Sequence, residues 1–154
     1  MILKINSAHN PDELKILRTK GYTVVGVVNE LRGLINNMAE TCVSMPNCVG
    51  LAANQVWDDP IMPPPAIFII RMQKGVLPFI NPVLDREFKR ETDAVDGCMS
   101  VAGKRVRIRR PYHILTSYLD GEGHVRSEHF YDIMARIWMH EYDHVQGRLI
   151  IDHE

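Results

Sequence analysis

Trp138-Met139-His140-Glu141-Tyr142-Asp143-His144 is the stretch on which the reading of this chain turns. His140 and His144 are four residues apart, so on a helix their imidazoles lie one above the other on a single face. Glu141 follows the first histidine and points beside that face. Two neutral nitrogen donors and a nearby carboxylate form the arrangement that a catalytic metal site uses to activate water. The spacing alone would arise by chance in about two chains in a hundred of this composition. The surrounding residues add weight. Ile133, Ile137, His140 and His144 step by four, three and four, so an apolar stripe is expected to run into the histidine face. Histidines on a buried stripe call for a partner, and a metal ion supplies one.

Working outward, the helix is expected over about 133–145, stopped by Gly147. Before it, 112–119 and 125–131 read as a hairpin turned by Asp120-Gly121-Glu122-Gly123. Lys104–Arg110 alternates, with Arg105, Arg107 and Arg109 on one strand face and Val106 and Ile108 on the other; it reads as a solvated strand face rather than a nucleic-acid site. Residues 66–70 form a buried apolar strand, and 77–85 a second one broken at the turn-prone Asn81-Pro82. The proline-rich 57–65 is a surface loop. Near the start, Asn10-Pro11-Asp12 opens a short helix through about Arg18. Val28, Leu31, Ile35, Met38 and Cys42 predict a long amphipathic helix over 26–44, with Cys42 a small buried hydrophobe. Helical and extended segments come in separate blocks, so the class is α+β, with antiparallel sheets packed around the central histidine-bearing helix in one domain over 1–154.

Composition excludes several functions. The chain has 154 residues, 45% of them hydrophobic and 24% charged, as in an ordinary globular protein. A net charge of −1 offers no general attraction to nucleic acid or to an anionic membrane, and no apolar run approaches a membrane span. Three cysteines and no export signal point to a reducing compartment, so a cytoplasmic protein is expected. Nothing calls for an obligate oligomer, and a monomer is expected.

A catalytic site keeps three protein ligands and one open position. A third histidine three residues after Gly147 would suit one class of zinc protease, but that position is Ile150, and the chain ends ten residues after His144. His153 and Glu154 sit in a terminal stub expected to fray. The third ligand is therefore sought upstream, and Cys98, preceded by the permissive Gly97, is the best candidate.

Gly50-Leu51-Ala52-Ala53-Asn54-Gln55, Asp96-Gly97-Cys98-Met99-Ser100 and His140-Glu141-Tyr142-Asp143-His144 resemble, in order and spacing, the three motifs of peptide deformylases. Phe79-Ile80-Asn81-Pro82, Arg110-Pro111 and Gly147-Arg148-Leu149 are weaker echoes, and the resemblance covers roughly residues 10–152. Cys48 stands where the family has a glycine, and Asp96 where it has a glutamate. The early end, without the C-terminal extension of many bacterial members, is more like short, phage-encoded ones.

The resemblance implies a hydrolase that removes the formyl group from N-formylmethionyl nascent peptides and releases formate, with the ribosome as a candidate docking partner. It implies one divalent ion, ferrous iron first and zinc, nickel or cobalt as other occupants, held by Cys98, His140 and His144. Glu141 would act as the base, with the Gln55 amide and the Met99 backbone N–H meeting the oxyanion. Val49, Ile133 and Ile137 would receive the methionine side chain, with Gly50 and Gly97 offering backbone to the peptide. Asp96 is expected to contact Arg110, and Asp143 to hold a partner behind the site or a structural salt bridge. Two other readings stay open: a zinc peptidase sharing the helix motif, and a deformylase-like binding protein without catalysis.

Overall fold

The computed structural model describes residues 1–26 and 28–154, and its ladders pair antiparallel. Strands β1 (Gly50–Ala52), β2 (Ile67–Met72), β3 (Gly75–Glu87), β6 (His113–Leu119) and β7 (Val125–Tyr131) form a five-stranded sheet in the order β1-β2-β3-β6-β7. Strands β4 (Glu91–Gly97) and β5 (Arg105–Pro111) form a separate two-stranded sheet. Three helices accompany them: α1 (Pro11–Leu17), α2 (Arg32–Val43) and α3 (Asp132–Val145). Helix α3 packs on β1, β2, β7 and β5, which makes it the element shared by both sheets.

The unbroken apolar run of β2 follows from its position. Phe68 and Ile70 pack toward α3, in a cluster with Phe79, Ile114, Phe130 and Trp138. Ile67 and Ile69 pack to the other side, with Met38 and Cys42 of α2, Cys48 and Leu51. A strand buried on both faces has no polar side to display. Phe68 stacks on Phe79 at 5.1 Å and meets Trp138 edge-on at 5.3 Å, and each such ring contributes about 1.5–3 kcal/mol by burial. A third cluster, of Leu17, Val106, Ile108, Leu149 and Ile150, closes the C-terminal end.

Several expectations hold, and others are corrected. Asn10 caps α1 by accepting the N–H groups of Asp12 and Glu13, with Pro11 in the first turn. Arg105, Arg107 and Arg109 face solvent while Val106, Ile108 and Arg110 turn inward. The expected helix over 26–44 is shorter: a 3-10 turn at Val28–Leu31 precedes α2, and the part of that expectation at residue 27 lies outside the described residues. Strand β3 runs through Asn81-Pro82 instead of breaking there. Asn81 takes a φ of 51°, the register to β6 shifts between Ile80 and Val83, and the bulge absorbs the proline. Strands β1 and β4 carry no clear apolar–polar alternation in their residue types and were not foreseen. The C-terminal residues do not fray: Ile150–His153 form a 3-10 turn, tied by an Arg18–Asp152 ion pair.

Helix α3 buries only part of the expected stripe: His144 is buried, Ile137 and His140 are half-buried and Ile133 is exposed. Its core face is Ala135, Trp138, Met139 and Val145. Ile133 is 67% exposed, because the first turn of α3 projects past its packing partners, beside exposed Tyr131 and Asp132. Gly147 ends the region at φ 76°, where a Cβ would stand 2.3 Å from the Arg18 carbonyl oxygen. Gly147→Ala therefore combines backbone strain with a backbone clash, and should cost about 2–4 kcal/mol in urea-denaturation measurements.

Candidate metal centre

The site is assembled from three chain segments. Helix α3 contributes His140, Glu141 and His144; the turn after β4 contributes Cys98; the 3-10 turn Ala53–Gln55 after β1 contributes Gln55. One donor atom from each of Cys98, His140 and His144 lies within 4.8 Å of the other two, and Cys98 Sγ is 3.4 Å from His144 Nε2. This is the one such group among the described residues. A thiolate and two imidazoles suit a first-row divalent cation and leave an open position.

Electrostatics favour positive charge at this point. Burial pulls the His140 imidazole down, but bonds to Asp96 and Cys98 outweigh it and lift the group to about 10. The same anionic surroundings that hold a proton would favour a cation in its place. His144 is held well below its ordinary value by burial, which keeps its ring neutral and able to ligate. Burial raises Glu141 to about 7, and its Oε2 is buried with no hydrogen-bond partner among the described residues. An orphaned carboxylate oxygen beside three metal-type donors fits a site that takes an ion and water.

The supporting residues are held firmly. Gln55 Oε1 accepts the Ala52 N–H at 3.0 Å, which leaves its Nε2 to donate to Ser100 Oγ at 3.1 Å and toward Cys98 Sγ at 3.7 Å. The amide nitrogen therefore faces the thiol. The Met99 N–H has no hydrogen-bond partner among the described residues. Asn54 donates to the carbonyls of His144 (2.5 Å) and Leu17 (3.1 Å), tying the first motif to α3 and α1.

Behind His140, Asp96 Oδ2 accepts from Arg110 Nε and Nη2, both at 3.1 Å, and stands 3.6 Å from His140 Nδ1. The contact expected between Asp96 and Arg110 is thus present. Arg110 Nη1 also donates to Asp143 Oδ2 at 3.1 Å, and His153 Nε2 pairs with the same oxygen at 2.9 Å. Asp143 is therefore one step removed from the donors, as part of an ion network.

A cavity of about 200 Å³ opens beside the donors, lined among others by Val49, Gly50, Gly97, Met99, Arg136 and Ile137. Gly50 fits here for lack of a side chain: a Cβ would approach Glu141 Oε1 to 2.9 Å. The expected Val49, Gly50, Gly97 and Ile137 are brought together, whereas Ile133 does not line the cavity. Ser100 and Arg136 were not foreseen. Arg136 precedes His140 by four residues, a spacing that could have marked it.

A family model described as Polypeptide deformylase matches residues 2–154. A peptide deformylase of Caldanaerobacter subterraneus subsp. tengcongensis is 34% identical over 89% of this chain and 82% of its own length. Among solved structures, the peptide deformylase of Thermotoga maritima superposes with a TM-score of 0.86 at 29% identity, covering 99% of this chain and 97% of that one. That of Synechococcus elongatus, in complex with actinonin, gives a TM-score of 0.85 at 28% identity over 98% of this chain and 78% of that one.

Arg110 is 4% exposed and serves two buried or half-buried carboxylates. Arg110→Leu would remove the buried partner that Asp96 and Asp143 share, leaving Asp96 to Arg136 and Asp143 to His153 and Arg148, and should cost about 3 kcal/mol in equilibrium unfolding.

Proposed function

The chain belongs to the peptide deformylase family, and from that membership we propose the following assignment of roles to its residues. It is a hydrolase that removes the formyl group from the N-terminus of nascent peptides. The metal dependence of the family has a counterpart here in the Cys98, His140 and His144 group. We assign those three as ligands of one divalent ion within a catalytic domain spanning 1–154. Ferrous iron is the occupant that the family resemblance implies, and zinc, nickel and cobalt suit the same donors. When bound, the ion serves as a Lewis acid and acidifies water at its open position.

Glu141 is the general base. Its buried carboxylate, raised to about 7, takes a proton from the attacking water, whose oxygen adds to the formyl carbon. The Gln55 amide and the Met99 N–H donate to the oxygen that gains negative charge. Glu141 then gives its proton to the peptide nitrogen as the carbon–nitrogen bond breaks, and formate and a free amino terminus result.

The cavity receives the substrate's first side chain, with methionine against Val49 and Ile137; Ile133, in the exposed first turn of α3, is left out of it. Strand β1 is an edge of its sheet, so Gly50 offers edge backbone to an extended peptide, its carbonyl also accepting weakly from the Cys48 thiol at 3.3 Å, and Gly97 closes the opposite side. Because formylated nascent chains occur where translation runs, we further propose a cytoplasmic enzyme with the ribosome as a candidate docking partner, and a monomer. Among the described residues no helix is long and apolar enough to cross a membrane.

The observation that carries this reading is the buried Glu141 oxygen, without a partner among the described residues, beside three converging donors. The deciding assay is formate release from formyl-Met-Ala-Ser by protein purified anaerobically with iron, with the unformylated peptide alongside. Formate with intact peptide bonds supports the assignment; cleavage of the unformylated peptide would make it a peptidase. Glu141→Ala should lower turnover on the order of 10²–10⁴-fold while metal analysis still finds one ion per chain. Cys98→Ala should lose the ion as well. Near-normal turnover in Glu141→Ala would remove the base from the mechanism.

A further inference from the structure

Strand β1 opens its free edge at one residue. The Val49 carbonyl accepts the Arg71 N–H of β2 at 2.8 Å, so these two residues form a hydrogen-bonded pair. In an antiparallel ladder such pairs alternate, and Gly50, opposite Ile70, turns its N–H and carbonyl away from β2. Because β1 ends its sheet, that direction is the open side. A Cβ on Gly50 would stand 2.9 Å from Glu141 Oε1, which leaves no room for a side chain. Nothing of its own therefore restrains the Gly50 peptide plane, in a strand of three residues.

Cys48 supplies the restraint. Its Sγ lies 3.3 Å from the Gly50 carbonyl oxygen, and it is the one side chain that donates to that oxygen among the described residues. Cys48 is itself fixed: it is buried among Met38, Cys42 and Leu51, and its own carbonyl accepts the Cys42 thiol at 3.5 Å. Burial pushes the Cys48 thiol well above its ordinary value, so it keeps the proton that it donates. Both Cys48 and Gly50 border the cavity beside the metal donors. A glycine at position 48 would bring no donor to this point.

Resting on the assignment of β1 to the docked peptide, we propose that Cys48 is a positioning residue, whose thiol holds the Gly50 carbonyl in the orientation that accepts a backbone N–H of the substrate. A carbonyl oxygen has two acceptor positions, so the thiol and the N–H are accommodated together. A carbonyl already held in place loses less freedom when the peptide arrives, and binding gains accordingly. The bond is made by the substrate and by the transition state alike. Its loss therefore raises KM and leaves kcat nearly unchanged.

The test compares metal-loaded wild type with Cys48→Ala, which removes the donor, and Cys48→Ser, which keeps one. KM and kcat are read from formate release on formyl-Met-Ala-Ser, per bound ion. Cys48→Ala should raise KM about threefold to tenfold with kcat within about twofold, and Cys48→Ser should return KM to within about twofold of wild type. A loss of packing alone would lower the amount of folded, metal-loaded protein and would not be repaired by serine. Independently, the infrared S–H stretching band of Cys48, identified by its absence from Cys48→Ser, should shift when the product Met-Ala-Ser binds, because the carbonyl then serves two donors. An unchanged KM in Cys48→Ala, a serine variant that does not restore it, or a band that stays in place when the peptide binds overturns the inference. If Cys48→Ala does not fold, the band decides. Absence of turnover by metal-loaded wild type would instead overturn the deformylase assignment, and this inference with it.

Discussion

The Arg110 guanidinium joins the two halves of the site. It donates to Asp96 at the end of β4 and to Asp143 on α3, so one buried cation ties the small sheet to the helix. Cys98 follows Asp96 by two residues, and His140 and His144 flank Asp143. Holding the two carboxylates to one guanidinium therefore brings the thiol to the imidazoles. Taking such charges out of water is costly unless each is paired, and Arg136, His140 and His153 supply further partners. The shorter aspartate at position 96 does not lose the contact, since Arg110 reaches one of its oxygens and Arg136 the other.

Helix α3 performs two jobs with two faces. Ala135, Trp138, Met139 and Val145 anchor it in the aromatic core against β2 and β3, while Ile137, His140 and Glu141 line the cavity. The anchored face gives the other its rigidity, and a site on a packed helix is held more closely than one on a loop. The first motif is bound to the same helix from the far side, through Asn54 and the His144 carbonyl. Gln55 is fixed in turn by Ala52 and Ser100, so the amide aimed at the thiol has little freedom.

Much of this was legible in the chain. The two histidines four apart, the glutamate between them and the upstream cysteine were readable because helical periodicity and metal chemistry are local rules. The cap at Asn10 and the alternating arginines of β5 were readable for the same reason. The errors arose where a local rule met packing. Ile133 has the spacing of a core residue, yet the helix begins before the protein surrounds it. Asn81-Pro82 has the chemistry of a turn, yet a bulge within a long strand accommodates it. Strands β1 and β4 are identified by their pairing, which no alternation in their own residues announces.

By itself the sequence determined the class of the fold, the family, and the residue types that can hold an ion and move a proton, because these depend on spacing along one helix and on donor chemistry. Only the tertiary structure decided which charges meet. That Asp96 is shared by two arginines, that Asp143 turns to Arg110 and His153, and that Arg136 enters the wall of the cavity are results of packing β4 and β5 against α3. Partners separated by 14, 33 and 40 residues along the chain meet by burial and charge compensation, which no local pattern encodes.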